Sequence, residues 1–146
     1  MCRKFEVRGR RTPLKSIALT VFKLNEMIKA VIDLEVFKLS YQIAIDIFLL
    51  TRSFPKEEKY SLTDQIVRSS RSGSANIAEG WGRRIYENEF KKHLVYALGS
   101  LEETKVWLCF SRDCSYINNE QFVNLERKLD ASGAKMYKLY ENWRTL

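Results

Sequence analysis

The sequence predicts an all-α chain, an up-down-up-down antiparallel four-helix bundle with an additional N-terminal arm or helix. Three observations carry that expectation. Apolar residues recur at spacings of three and four along long segments, the signature of helices with one buried face. Only two prolines occur, Pro13 and Pro55, and both fall between such segments. The connections are short, which favours antiparallel neighbours. With 146 residues, 45% hydrophobic and 29% charged, the chain is long enough to bury a real core.

Residues 1–13 are basic and aperiodic, and Pro13 punctuates them. From Leu14 to about Asp33, apolar residues return at Leu14, Ile17, Val21, Leu24, Ile28 and Val31. This stretch is either an extra helix or a prefix to the next one. The expected division is therefore a basic arm at 1–33 and a bundle domain at 34–146.

The first bundle helix is expected over Glu35–Ser53. Phe37, Tyr41, Ala44, Phe48 and Thr51 make one stripe; Val36, Leu39, Ile43, Ile47 and Leu50 make a second. A helix apolar over so much of its circumference calls for burial on two sides, by the core and by another subunit. Phe54-Pro55 ends it. The second helix starts near Ser61, whose hydroxyl is placed to cap it, with Asp64 as capping-box partner. Leu62, Ile66, Ser70, Gly73, Ile77 and Trp81 keep its period, and the middle of that face is reduced to serine and glycine, which lets a neighbouring helix come close. Gly80 and Gly82 mark its C-terminal end. The third helix, about Tyr86–Cys114, carries Phe90, Leu94, Ala97, Leu101, Thr104 and Leu108, broadened by Val95, Leu98, Val106, Trp107 and Phe110. After a turn at Ser115–Asn118 the fourth helix opens on Asn118, with Gln121 as its capping-box partner. Its stripe of Phe122, Leu125, Leu129, Ser132, Met136, Leu139 and Trp143 steps by three and four throughout.

The net charge of +7 is unevenly spread. Residues 1–15 set Arg3, Lys4, Arg8, Arg10, Arg11 and Lys15 against Glu6, a local +5, and the rest of the chain carries +2. Such an arm either touches phosphates or is a solvated tail. Three cysteines, Cys2, Cys109 and Cys114, form no paired framework, and an odd count without a secretory signal reads as reduced and cytoplasmic. The most apolar stretch, Ser16–Phe37, is interrupted by Lys23, Glu26, Lys29, Asp33 and Glu35, so no membrane span and no membrane partner is expected.

Five segments, read in order, resemble the four-helix bundle proteins known as the 23S ribosomal RNA intervening sequence protein family. They are Y-Q-I-A-I-D-I-F at 41–48, L-T-D-Q-I-V-R-S-S-R-S at 62–72, S-A-N-I-A-E-G-W-G-R-R at 74–84, E-E-T-K-V-W-L at 102–108 and D-C-S-Y-I at 113–117. The likeness runs over about residues 33–143. It implies a four-helix bundle, a homopentamer and a non-enzymatic role. A related family of basic pentameric bundles assists reverse transcriptases and binds nucleic acid. The arm of about 30 residues has no counterpart there, and Gly73 stands where an aliphatic residue is commoner.

No catalytic set is legible. The serine and glycine stretch lacks the G-K-[ST] ending of a phosphate loop and follows no strand. Asn76 and Glu79, three apart on one helix, read either as a buried hydrogen-bonded pair that fixes register or as a polar site facing a ligand. His93 is the only histidine, and with scattered cysteines it furnishes no zinc set. No metal, cofactor or catalytic residue is implied. Glu102 and Glu103 share no face, and pairing with Lys105 or a neighbouring helix accounts for them. The basic set Arg68, Arg71, Arg83, Arg84, Lys91 and Lys92 clusters on and after the second helix, partly neutralised by Glu79, Glu87 and Glu89. It reads as a solvated or salt-bridged face, or as a phosphate-contacting ring multiplied by oligomer symmetry. Trp81, Tyr86 and Trp107 are placed to stack on bases or to pack. The leading expectation is a non-catalytic oligomer that binds RNA, DNA or a nucleic-acid-processing protein. The alternative is a protein–protein adaptor or structural oligomer with no nucleic-acid role.

Overall fold

Four α-helices succeed one another along the chain: α1 (Glu35–Thr51), α2 (Leu62–Gly82), α3 (Glu87–Asp113) and α4 (Asn119–Asn142). The structure is a computed structural model, and it describes residues 28–145. The basic arm and residues 14–27 of the expected N-terminal helix lie outside the described residues. The described end of that segment does not run into α1 as a helical prefix. Val31–Asp33 form a single 3-10 turn, in which the Asp33 carboxylate accepts a hydrogen bond from the Ala30 N–H at 2.9 Å. Leu34 is then extended (φ −67°, ψ 123°), which breaks the helical hydrogen-bond ladder before Glu35 starts a new one.

α1 packs on α2 and α4, and α3 packs on α2 and α4; α1 does not meet α3, nor α2 α4. Paired residues give the directions. Glu35 meets Lys135 and Asp46 meets Lys128, so α1 and α4 run antiparallel. Lys105 meets Asp130 and Phe90 meets Trp143, so α3 and α4 do too. Thr104 meets Ser69 and Ser100 meets Ser72, which makes α2 and α3 antiparallel. α1 and α3 therefore point the same way on opposite corners of the bundle.

The core is what the stripes required. Ile43, Ile47, Ile66, Ile77, Leu94, Leu101, Leu108, Leu129 and Met136 are all fully buried. Each such side chain stabilises the fold by about 1.5–3 kcal/mol relative to exposure. Between these layers lie buried hydroxyls from Ser40, Ser69, Ser70, Thr104 and Ser132. They cost little, because most bond back to a carbonyl of the preceding turn: Ser70 to Val67 O at 3.0 Å, Thr104 to Ser100 O at 2.7 Å. Their small volume is the structural gain.

Of the three glycines of α2, Gly73 and Gly80 are buried and differ in role. A Cβ on Gly73 would meet Leu101 Cδ2 at 3.6 Å and Ser40 Oγ at 3.8 Å, ordinary van der Waals distances. A Cβ on Gly80 would lie 2.6 Å from His93 Cβ and 3.0 Å from Phe90 Cδ2. The close approach of α2 to α3 is thus at Gly80, two residues before the helix ends, and Gly80 is buried packing rather than an end signal. Beside it Trp81, Phe90 and Trp143 stack edge to face, with Phe90 and Trp143 centroids 4.6 Å apart.

The helix starts follow two different schemes. Asn118 caps α4 as expected: its Oδ1 accepts from Gln121 N–H at 2.8 Å while Gln121 Oε1 accepts from Asn118 N–H at 2.9 Å. Ser61 does not cap α2, and Asp64 pairs with Arg68 instead. The cap is Glu58, whose Oε2 accepts from Leu62 N–H at 3.1 Å and from the Ser61 hydroxyl, while its Oε1 accepts from the Tyr116 hydroxyl at 2.9 Å. The reason is the 3-10 turn Lys56–Glu58, which carries a full carboxylate to the helix start, where charge favours it.

Those donors, the Ser61 hydroxyl foremost and then Tyr116 and Leu62 N–H, hold the Glu58 carboxyl below its ordinary value. A depressed folded-state value gives stability that is complete above the unfolded carboxylate range and is lost as pH falls through the folded value. Replacing Glu58 with Gln should therefore flatten the acid limb of a stability-versus-pH curve. The check is urea midpoints of both proteins from neutral pH downward. Parallel acid limbs would contradict the assignment.

Candidate functional site: two apolar faces and a basic edge

α1 buries Val36, Ser40, Ile43, Ala44, Ile47 and Thr51, so three residues of the second expected stripe, with Ala44 and Thr51 from the first, face the core, while Leu39 and Leu50 are half-buried. Tyr41, Ile45, Phe48 and Leu49 stay exposed, Leu49 by 55%. They stand at i, i+4, i+7 and i+8, one continuous stripe that ends near exposed Arg52. Tyr41 and Phe48 were expected on a stripe of their own; Ile45 and Leu49 were not, although the same period, started from Tyr41, includes them. On α3, Val95, Val106 and Phe110 are exposed along one line with Gly99, whose absent side chain faces open space.

These two faces stand at one level. Asp46 of α1 pairs with Lys128, and Lys105 of α3 pairs with Asp130. Residues 128 and 130 are separated by about 3 Å of helix rise. Ile45 is therefore level with Val106, and one turn on, Leu49 is level with Phe110. Both faces border α2: Arg71 of α2 lies over the Phe48 ring at 5.5 Å, and Leu62 and Gln65 of α2 share a cavity with Trp107 and Phe110.

The six basic candidates divide into two groups. Arg68 pairs with Asp64 at 3.5 Å, Arg83 with Glu79 at 2.9 Å and Glu89 at 3.8 Å, and Lys91 with Glu87 at 2.7 Å. Arg71, Arg84 and Lys92 have no carboxylate partner among the described residues and rest on aromatic rings instead. Arg84 lies 4.2 Å from the Trp81 ring centroid and Lys92 5.9 Å from that of Tyr96.

Residues 32–138 match the model of one protein family, the 23S rRNA-intervening sequence proteins, which is more than half of the chain. The chain belongs to that family. A crystal structure from the S23 ribosomal protein family of Bacteroides thetaiotaomicron, described as a protein with unknown function, superposes with a TM-score of 0.65. It is 23% identical, and the alignment covers 73% of this chain and 98% of that one, a likeness of fold. No curated protein matches.

The match spans α1 to α3 and most of α4. The expected small-residue positions Ser70 and Gly73 are buried where the helices meet, and Trp81 is buried in the aromatic cluster. Asn76 and Glu79 are not a buried pair. Asn76 turns back to Ser72, donating to its O at 2.9 Å and its Oγ at 3.1 Å, while Glu79 is exposed and holds Arg83. Three residues of helix leave these side chains on one face, but each finds a nearer partner four residues away. Glu79 also approaches His93 Nε2 at 3.8 Å, and the His93 Nδ1 is buried without a hydrogen bond. Of the ring candidates, Tyr86 is exposed, Trp107 half-buried and bonded to Glu103 Oε1 at 3.2 Å. Glu102 pairs with Lys105, which also bridges to Asp130. Among the described residues no three His, Cys, Asp or Glu side chains converge as a metal set, and no helix is long and apolar enough to cross a membrane.

Proposed function

We propose that this protein is a non-catalytic subunit of a closed homo-oligomeric ring that holds nucleic acid against its repeated basic edge. The observation that carries the reading is the pair of unlike apolar faces, on α1 and on α3, set at one level of the bundle. Two unlike faces on opposite corners of the bundle suit a head-to-tail joint, and a head-to-tail joint that closes gives a ring. Exposed aliphatic and aromatic side chains in continuous stripes are also what an unassembled subunit leaves in water. Five copies is the number that the family resemblance favours.

Assembly and charge support each other. Because both faces border α2, closing the ring sets the α2 faces of successive copies side by side. Arg71 then recurs at every joint, and Arg84 and Lys92 recur around the ring. Modest patches repeated by symmetry sum to a field that a single chain lacks. The arm, with its +5, adds to the attraction. The pairing of Arg68, Arg83 and Lys91 with carboxylates favours the second reading, an adaptor ring for a protein partner.

Light scattering with a salt titration of RNA and DNA binding separates these. A ring whose affinity falls steeply with salt is the expected result. A monomer at micromolar concentration would remove the assembly reading. A ring that binds no nucleic acid at about 50 mM salt, where counterion release favours binding strongly, would leave the adaptor.

A further inference from the structure

Between the N-terminal turn of α2 and the C-terminal turns of α3 lies an open cavity of about 360 Å³. Leu62, Trp107 and Phe110 form its apolar walls, and Glu58, Gln65 and Cys114 its polar rim. We infer that this cavity is the socket of the ring joint, and that Leu49 of a neighbouring copy fills it while Arg52 of that copy meets the Glu58 carboxylate. The inference rests on the ring reading and names the joint within it.

Three features of the molecule converge on this occupant. The first is level. Leu49 stands at the height of Phe110, so a neighbour related by rotation about an axis parallel to the bundle presents Leu49 at the height of the socket. The second is chemistry. Leu49 is an exposed aliphatic side chain on an exposed helix, and the socket offers an indole, a phenyl ring and a leucine. An anchor side chain in an aromatic pocket is the kind of packing that dominates interface energetics. The third is charge. Arg52 is exposed at the end of α1, three residues beyond Leu49, and has no ion partner among the described residues. Glu58 is fixed in place by Ser61, Leu62 and Tyr116, and donors that hold it ionised leave a negative rim for a cation from outside. Within one copy α1 and α3 never meet, so Leu49 does not reach its own socket.

Cys114 lines the socket and is exposed, which gives a direct test. In a Cys2→Ser, Cys109→Ser background, Leu49→Cys should form a disulfide with Cys114 of the next copy under mild copper–phenanthroline oxidation. The geometry of that bond admits only closely apposed positions. A non-reducing gel should show a ladder ending at the subunit number found by light scattering. The same variant with Cys114→Ser, and a Glu141→Cys control far along α4, should give none. A Leu49→Cys sample that scatters as a ring but gives no ladder overturns the socket and leaves the ring standing; a wild-type protein that scatters as a monomer at micromolar concentration overturns the ring itself. As a second arm, Leu49→Asp should lose the ring at micromolar concentration with helical circular dichroism unchanged. A full ring in Leu49→Asp overturns the inference as well.

Discussion

A single methyl group at position 80 should destabilise this protein by about 1–3 kcal/mol, while the same methyl at position 73 should stabilise it by up to about 1 kcal/mol. Both positions are buried glycines in α2. Glycine in a helix interior costs roughly 1 kcal/mol relative to alanine, so Gly→Ala is favourable wherever a Cβ fits. At Gly73 it fits: the nearest atoms, Leu101 Cδ2 and Ser40 Oγ, would lie 3.6 and 3.8 Å away. At Gly80 it does not. His93 Cβ at 2.6 Å is fixed to the α3 backbone, and Phe90, at 3.0 Å, is wedged between Trp81 and Trp143. Neither can yield without moving α3 or breaking the aromatic cluster. Larger side chains should lose the distinction: Gly73→Leu exceeds the space beside Leu101 and should cost about 1–3 kcal/mol. Urea midpoints of the alanine variants decide the matter, and shifts of the same sign at 73 and 80 would refute the contrast.

That contrast marks the limit of what the residues alone reveal. Helical period and capping chemistry are local properties, and they gave the four helices to within one or two residues at most ends. The stripe Leu62, Ile66, Ser70, Gly73, Ile77 and Trp81 is buried along its whole length, and the Asn118–Gln121 box forms as its spacing requires. The small residues at 69–74 pointed to close packing, but the tightest approach lies at Gly80, because closeness depends on what the partner helix brings to that level. α3 brings Phe90 and the branch point of His93 there. The Glu58 cap was hidden for a similar reason: the 3-10 turn at Lys56–Glu58 carries the carboxylate over, and a turn of three residues has no periodic signature. The excess of apolar residues on the first and third helices was legible, and the structure leaves part of it exposed, at Tyr41, Ile45, Phe48 and Leu49 on α1 and at Val95, Val106 and Phe110 on α3. The common level of Leu49 and Phe110 was not, because it depends on the registers of α1 and α3 against α4, set by the Asp46–Lys128 and Lys105–Asp130 pairs.

The same distinction between residues and their neighbours governs the charge prediction. Six basic side chains cluster in the sequence, but a cation beside its own carboxylate contributes little net field. Glu79 and Glu89 remain beside Arg83, and Asp64 beside Arg68, whatever those arginines touch. Arg71, Arg84 and Lys92 carry uncompensated charge, and the rings beneath them limit their rotamers, so less freedom is surrendered on meeting a phosphate. Reversing Arg71 and Arg84 to Glu should therefore weaken nucleic-acid binding more than reversing Arg68 and Arg83. Each phosphate left without its cation should lower the log–log salt slope by about 0.9 for a duplex and about 0.7 for a single strand. Repetition around a ring multiplies this, and a site stripped of several such cations falls in affinity by orders of magnitude near physiological salt. Deleting residues 1–15 removes +5 of the +7 and should weaken random RNA and DNA alike. Reversals on rigid helices should instead weaken the preferred ligand most, since only fixed charges discriminate shape. Salt titrations of the wild type, the arm deletion and the two double reversals decide it, with light scattering to show that each variant still assembles. Equal weakening by the two double reversals would mean that carboxylate pairing does not govern which cations act, and an unchanged slope in all variants would place the nucleic acid elsewhere on the protein.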